Sequence, residues 1–358
     1  MEQTLSYNQE NQDICSVFYG ESSWAHFSNW LMEKKPTRLF VLVDDNTFKY
    51  CYPLLLSQIP HHIQPIVIVV PPGEQEKTIE SAQQVWVELA NNQANRNDYL
   101  LALGGGTITD LGGMVASLYK RGMPFVFVPT TLLAQTDASL GGKTGVDFSG
   151  YKNMIGTFAL PQSVFICPEF LTTLDEQQWI SGYAEMLKHG LIADYDYWQI
   201  LKKSEIRNLD SLISRSVEIK LEIVQNDPYE KGWRKVLNFG HTIGHAIESF
   251  MLEPNKTPIL HGHAIAAGMI CESFISMQYC CLPMHAYNEI SSHLYATFSK
   301  IHFREDDIPR LIHYMKADKK NDNDQIQMVL LEQISRPVFG IMVNEIDIAN
   351  ALREYILK

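Results

Sequence analysis
The chain has no apolar run approaching the ~18 residues that a membrane-spanning helix needs. Its longest apolar runs, such as Ile66 to Val70, have strand length. The opening residues Met1 to Tyr7 are polar and carry neither a basic region nor an apolar core, so no secretory signal is expected. Cysteine is sparse: Cys15, Cys51, Cys167, Cys271, Cys280 and Cys281, with no C-x-x-C pair and no framework spacing. This argues against a disulfide scaffold and implies reduced thiols in a cytoplasmic protein. The vicinal Cys280-Cys281 pair is read as buried helix packing. Positive charge is also short, with 29 Lys and Arg against 41 Asp and Glu, a net charge of −12. That disfavours non-specific binding to nucleic acid or to anionic membranes, though a few cations suffice for one local pocket. There is no internal repeat and no low-complexity tract.

At 358 residues the chain exceeds one core of ordinary size, so two domains are expected. The first half alternates apolar strands with helical patterns. Leu39 to Val43 reads as a buried strand with Asp44-Asp45-Asn46 as its turn. Ile66 to Val70, Tyr99 to Leu103, Phe125 to Val128 and Val164 to Cys167 are further strands, and Lys77 to Ala90 is a helix. Continuous apolar strands between helices indicate a parallel sheet covered on both faces, a Rossmann-like α/β arrangement. From Glu176 the texture becomes helical, over Gln177 to Leu191, Ile213 to Asp227, Gly240 to Phe250, Ala264 to Tyr279, Tyr287 to Lys300 and Ile308 to Lys316. Only Gln327 to Leu331 reads as a late strand. The expected domains are 1–174, α/β, and 175–358, mostly α-helical.

Gly104-Gly105-Gly106 lies between an apolar strand and the helix-like stretch Thr107 to Tyr119. Glycines at that junction let backbone N–H groups approach a pyrophosphate, and the helix N-terminus favours anions. A plain tight turn would also explain three glycines, but the strand before and helix after favour a dinucleotide. Further on, Pro129-Thr130-Thr131 and Asp137 to Thr144 gather hydroxyls, a carboxylate and a lysine. Gly141-Gly142-Lys143-Thr144 lacks P-loop spacing, which disfavours an NTPase. The alternative is a flexible surface loop, opposed by flanking residues that read as buried: Leu132, Leu133, Ala134, Met154 and Ile155.

His241 and His245 are four apart, so a helix presents both on one face, and His261-Gly262-His263 follows. Such a pair commonly holds one metal ion. It also occurs on solvated faces, but here Thr242, Ile243, Gly244, Ala246 and Ile247 are small or apolar. The helix is therefore read as buried, and buried imidazoles need partners.

Together, Gly104 to Leu111, Lys120-Arg121-Gly122, Val128 to Gln135, Asp137 to Thr144, Lys152 to Gly156, Ser181 to Lys188, Arg234, Leu237 to His241, His245 and His261-Gly262 resemble the 3-dehydroquinate synthase family. The resemblance spans about residues 38 to 331. It implies a Rossmann-like domain and a helical domain with the site in the cleft between, usually in homodimers. It also implies NAD and a divalent metal, usually zinc, with cobalt as the alternative. The implied reaction converts 3-deoxy-D-arabino-heptulosonate 7-phosphate to 3-dehydroquinate and phosphate in the shikimate route to aromatic amino acids. Its stages are transient oxidation by NAD, phosphate elimination, reduction and intramolecular aldol closure.

The resemblance assigns Glu185, His241 and His261 to the metal, and one carboxylate with two imidazoles leaves positions open for substrate. His245 is expected near the substrate phosphate, or else as an orienter of the metal site. Lys143, Asn153, Lys220, Arg234 and the Lys319-Lys320 pair would supply donors to phosphate and carboxylate. Lys188 shares a helix face with Glu185. Asp137 and Asn238 suit sugar hydroxyls, and Arg121 would reach across a dimer interface. For NAD the implied residues are Asp45, Glu74, Lys77, Gly105, Gly106, Asp110, Thr130, Thr131 and Lys152. Two departures stand out: Thr109 replaces a frequent Gly and could narrow the nucleotide loop, and His263 replaces a common Glu and could compete as a ligand.

Three other functions remain open. An NAD-dependent polyol dehydrogenase would have no need of Lys143, Asn153 and Arg234. A cyclase making an aminocyclitol precursor is disfavoured by the retained carboxylate-binding candidates. A non-catalytic binding protein would not keep every metal and phosphate candidate.

Overall fold
The computed structural model describes residues 2–6, 14–318 and 325–358, and the chain divides into two compact units. The first comprises Met1–Ser149, Asn153–Asp175 and Lys220–Pro228. The second comprises Gly150–Lys152, Glu176–Ile219 and Tyr229–Lys358.

The first unit is built on β1 (Glu2–Ser6), β2 (Ile14–Tyr19), β3 (Leu39–Asp44), β4 (Ile66–Val70), β5 (Tyr99–Gly104), β6 (Phe125–Pro129) and β9 (Ser163–Ile166), with a separate pair, β7 (Lys143–Phe148) and β8 (Tyr151–Phe158). The large sheet runs β1-β2-β9-β6-β5-β3-β4; all its pairings are parallel except β1 with β2. Its helices are α1 (Ser23–Lys34), α2 (Asp45–Tyr50), α3 (Tyr52–Gln58), α4 (Ile79–Asn91) and α5 (Gly106–Leu118). Central strands carry β-branched and large apolar residues because both faces are covered: Leu39 to Val43 are all buried. Edge strand β4 leaves Val69 exposed. An aromatic core closes one face, with Phe27 edge-on to Phe165 at 5.2 Å and Phe18 stacked on Phe165 at 5.4 Å. Burying each such ring contributes about 1.5–3 kcal/mol.

The strand order reverses between β3 and β5: β3 leads to β4 on one side, then the chain crosses to β5 on the other. Parallel sheets bind ligands outside the carboxyl ends of strands at such a point. Asp45 follows β3 there, and Gly105 follows β5.

Three expectations change here. Asp44-Asp45-Asn46 is not a turn: the Asp44 carboxylate accepts the Thr47 N–H at 2.7 Å and starts α2 as a capping box. Thr109 does not narrow a loop: it is buried one turn into α5, its hydroxyl donating to the Gly106 carbonyl at 3.1 Å. Met154 is exposed, because it lies on the open side of β8 rather than in a core.

The second unit contains α6 (Glu176–Ala193), α7 (Tyr195–Leu201), α9 (His241–Met251), α10 (His261–Tyr279), α11 (Met284–Thr297), α12 (Ile308–Asp318) and α13 (Glu345–Leu357). It also holds the antiparallel pair β10 (Gln325–Gln333) and β11 (Arg336–Asn344), and the first part of α8 (Asp210–Asn226). All six cysteines are free thiols. Cys280 and Cys281 are not buried helix packing: Cys280 caps α10, and Cys281 follows it exposed, with φ 58°. No helix of the described residues is long and apolar enough to cross a membrane.

Candidate active site
In the second unit, α10 approaches α6 very closely. A Cβ at Gly262 would lie 2.1 Å from the Ser181 carbonyl oxygen, and the Gly262 N–H donates to the Ser181 hydroxyl at 3.0 Å. Only glycine admits this contact, which brings His261, the first residue of α10, to Glu185 one turn further along α6. The α9–α10 crossing is as tight: a Cβ at Gly268 would stand 1.9 Å from the Gly240 oxygen. Gly240 itself has φ 80°, a left-handed conformation that starts α9 at His241. Buried Glu272 of α10 accepts the Gly240 N–H at 2.6 Å and the Ile243 N–H at 3.2 Å, satisfying two of the amides at that helix start.

Four side chains thus meet. Glu185, fully buried, places Oε1 3.5 Å from Nε2 of His241 and 3.5 Å from Nε2 of His261. One nitrogen from each of His241, His245 and His261 lies within 4.8 Å of the others. Two tautomers follow from the partners. His241 Nδ1 is 3.1 Å from the Phe239 carbonyl, and His261 Nδ1 is 3.0 Å from the Glu248 carboxylate. Both partners only accept, so each Nδ1 donates and each Nε2 faces Glu185 as a ligand atom. This donor set fits a divalent cation held by two imidazoles and a carboxylate, with His245 beside it. Burial, with the Lys188 ammonium nearby, holds the His241 pKa well below its ordinary value. Burial acts the same way on His261, but Glu248 and Glu185 outweigh it and push the pKa up to about 10 when no ion competes for the ring. Burial opposes charge on Glu248 too, yet Lys152 and His261 hold its carboxyl well below the usual range. His263 does not compete as a ligand: two residues along α10 it points elsewhere, edge-on to Phe298 at 5.7 Å.

Cations accompany these groups. Lys188, buried, pairs with Glu185 Oε2, one helical turn away. Arg234 is buried, and Asn238 donates to Glu230. Lys152 reaches Glu248 at 3.1 Å. Glu248 was not singled out in the sequence. The sequence carried only its place, seven and three residues beyond His241 and His245 on one face of α9; its contact with His261 is set by α10.

The first unit carries the nucleotide candidates other than Lys152, in the segments that follow β3, β4, β5 and β6. Lys77, buried, bonds Asp110 and the Asn153 side-chain oxygen, each at 2.6 Å, with Glu74 at 3.8 Å. Glu74 accepts the Thr107 hydroxyl at 2.7 Å. Gly105 caps α5; a Cβ there would meet Thr131 at 3.0 Å, and one at Gly106 would meet Ala138 at 3.3 Å. The Thr130 N–H bonds the Gly104 carbonyl at 3.0 Å. The result is a glycine helix start packed against Thr131 and Ala138, a junction of the kind whose backbone amides suit an anion. Asp45 is exposed at the first position of α2. Lys220 pairs with Asp137 at 2.6 Å, and Lys143 is exposed at the start of β7. Arg121 is exposed beyond α5 with φ 66°. Lys319 and Lys320 lie outside the described residues.

Solved structures share this architecture. A 2-deoxy-scyllo-inosose synthase complexed with carbaglucose-6-phosphate, NAD+ and Co2+ superposes with a TM-score of 0.86 at 24% identity, over 99% of both chains. A 2-epi-5-epi-valiolone synthase from Streptomyces hygroscopicus with NAD+ and Zn2+ bound gives 0.80 at 25% identity, over 98% of both. The fold class is therefore that of the sugar-phosphate cyclases. Family models narrow it: residues 67–181 match the 3-dehydroquinate synthase N-terminal model and residues 182–321 the C-terminal model. A 3-dehydroquinate synthase of Parabacteroides distasonis is 41% identical over 87% of this chain and 89% of its own. The chain belongs to the 3-dehydroquinate synthase family.

Proposed function
We propose that the protein converts 3-deoxy-D-arabino-heptulosonate 7-phosphate to 3-dehydroquinate and phosphate, as a lyase dependent on NAD and a divalent metal. The observation that carries this reading is the convergence of Glu185, His241 and His261 in a chain that matches both family models. A divalent cation supplies Lewis acidity to the substrate, and NAD takes up and returns a hydride.

The chain's own residues do the rest. Glu185, His241 and His261 would hold the zinc or cobalt ion, with His245 toward the substrate phosphate. Asp45, Glu74, Lys77, Gly105, Gly106, Asp110, Thr130 and Thr131 would hold the dinucleotide. Lys143, Asn153, Lys188, Lys220 and Arg234 offer the donors that a phosphate and a carboxylate require, and Asp137 and Asn238 suit the hydroxyls. Donors of this kind would orient both anionic ends of the substrate and stabilise charge as phosphate departs. The phosphate's own oxygen serves as the base that takes the proton of the adjacent C–H in that elimination, and the C–H electron pair expels the phosphate. The same reading takes the protein as a cytoplasmic homodimer, with Arg121 reaching its partner.

The test mixes the purified protein, NAD, zinc and the heptulosonate phosphate, and follows inorganic phosphate and NADH together. Phosphate release without net NADH is expected. Net NADH from glycerol-like alcohols, with no phosphate released, would assign the chain to the polyol dehydrogenases instead.

A further inference from the structure
We propose that Glu248 is a positioning residue for the metal, acting through His261, and that Lys152 holds it in place. This rests on the functional reading above and deepens it. Glu248 sits on α9 and His261 begins α10, so their 3.0 Å bond spans the two helices that carry the imidazoles. Glu248 touches no reacting atom. Its Oε2 accepts the Nδ1–H of His261 in a hydrogen bond, which fixes both the tautomer and the rotation of the ring. Nε2 is thereby left as the ligand atom, 3.5 Å from Glu185. The other oxygen, Oε1, accepts from the Lys152 ammonium at 3.1 Å.

The arrangement of these groups separates positioning from simple packing. Glu248 and Lys152 both have nearly buried side chains, 4% and 6% exposed, and a carboxylate is costly there without partners. An apolar residue would fill the same space at less cost in desolvation. What it would not do is accept a hydrogen bond from Nδ1–H. His241 obtains the equivalent support from a backbone carbonyl, which no side-chain substitution can remove. His261 depends on Glu248 alone among the contacts seen at its Nδ1. Partners of this kind contribute about 10- to 100-fold to metal affinity.

The experiment is competition for Zn2+ between the full-length protein and a chromophoric chelator, on the parent, Glu248→Gln, Lys152→Met and His261→Ala. Glu248→Gln should bind zinc about 10- to 100-fold more weakly, with a changed visible spectrum when loaded with Co2+. Lys152→Met should show a smaller loss in the same direction. Zinc held by Glu248→Gln as tightly as by the parent, with an unchanged cobalt spectrum, overturns the proposal. His261→Ala separates the two levels of the argument. If it too leaves zinc affinity unchanged, the metal-site reading itself fails; if it alone weakens binding, only the role of Glu248 fails. Should Glu248→Gln not fold, Lys152→Met decides by the same titration: unchanged affinity and cobalt spectrum reject the clamp.

Discussion

His293 stacks edge-on against Trp198 at 5.5 Å and lies 3.4 Å from the Tyr183 hydroxyl. Burial, aided by the Lys202 charge, lowers its pKa from 6.5 to about 4. Between these values the unfolded chain binds a proton that the folded chain excludes. Stability contributed by the neutral ring is therefore present above pH 6.5 and lost as pH falls through about 4. Allowing for partial solvent screening, the loss is on the order of 1–2 kcal/mol. Urea unfolding of the parent and of His293→Phe at pH 7 and pH 5 should show the parent losing more stability than the variant; equal losses would reject the assignment. At the site, Glu185→Gln removes the carboxylate shared by two imidazoles. Zinc content after dialysis and kcat should both fall, by about two orders of magnitude or more. Lys143→Ala should lower kcat/KM for the heptulosonate phosphate by about 100-fold, with zinc affinity unchanged. Turnover near the parent's would remove Lys143 from the substrate set.

At the scale of elements, the close crossings of α10 make sharp predictions. Gly262→Ala puts a methyl group against the Ser181 carbonyl, so α10 must shift and take His261 with it. A loss of about 1–3 kcal/mol in urea unfolding is expected, together with weaker zinc binding. Full zinc affinity in a destabilised Gly262→Ala would mean that the ligand tolerates the shift. The same helices show what a sequence can reveal. Apolar strands β3 to β6 were legible because their apolar residues run without interruption, and α9 because its histidines and small residues keep helical spacing. Residues Asp44 to Asn46 were not, since aspartate and asparagine serve turns and helix caps equally until the Thr47 contact decides. Strand β7 was read within a loop segment because Lys143-Thr144-Gly145 carries no apolar alternation. The partnership of Glu248 with His261 was hidden for another reason: burial of a carboxylate depends on a second helix that local periodicity does not specify.

For the whole molecule, the combination of α/β and helical architecture was legible from the change of texture along the sequence; the second unit's main segment begins at Glu176. The excursions were not: residues 150–152 join the second unit and 220–228 the first, against their place in sequence. Oligomeric state is an expectation of the family reading. Light scattering on the eluted protein should give about twice the chain mass, and Arg121→Ala should lower turnover if that side chain serves its partner's substrate. Unchanged turnover in a dimeric Arg121→Ala would confine Arg121 to its own subunit's surface. With a net charge of −12, the protein presents a field that repels its anionic substrate at long range. Raising ionic strength from low values should therefore not depress kcat/KM as steeply as it does in enzymes with a cationic surface.

The glutamate that caps α9 has one more chemical consequence. A helix beginning beside an ion would ordinarily be a ready berth for an oxyanion, since its first amides point outward unengaged. Here Glu272 already fills that berth with a permanent, covalently attached anion. An incoming phosphate meets a carboxylate already on the Gly240 and Ile243 amides, so more of its grip must come from side chains that can be exchanged one at a time, which leaves anion selectivity here open to redesign without disturbing the backbone.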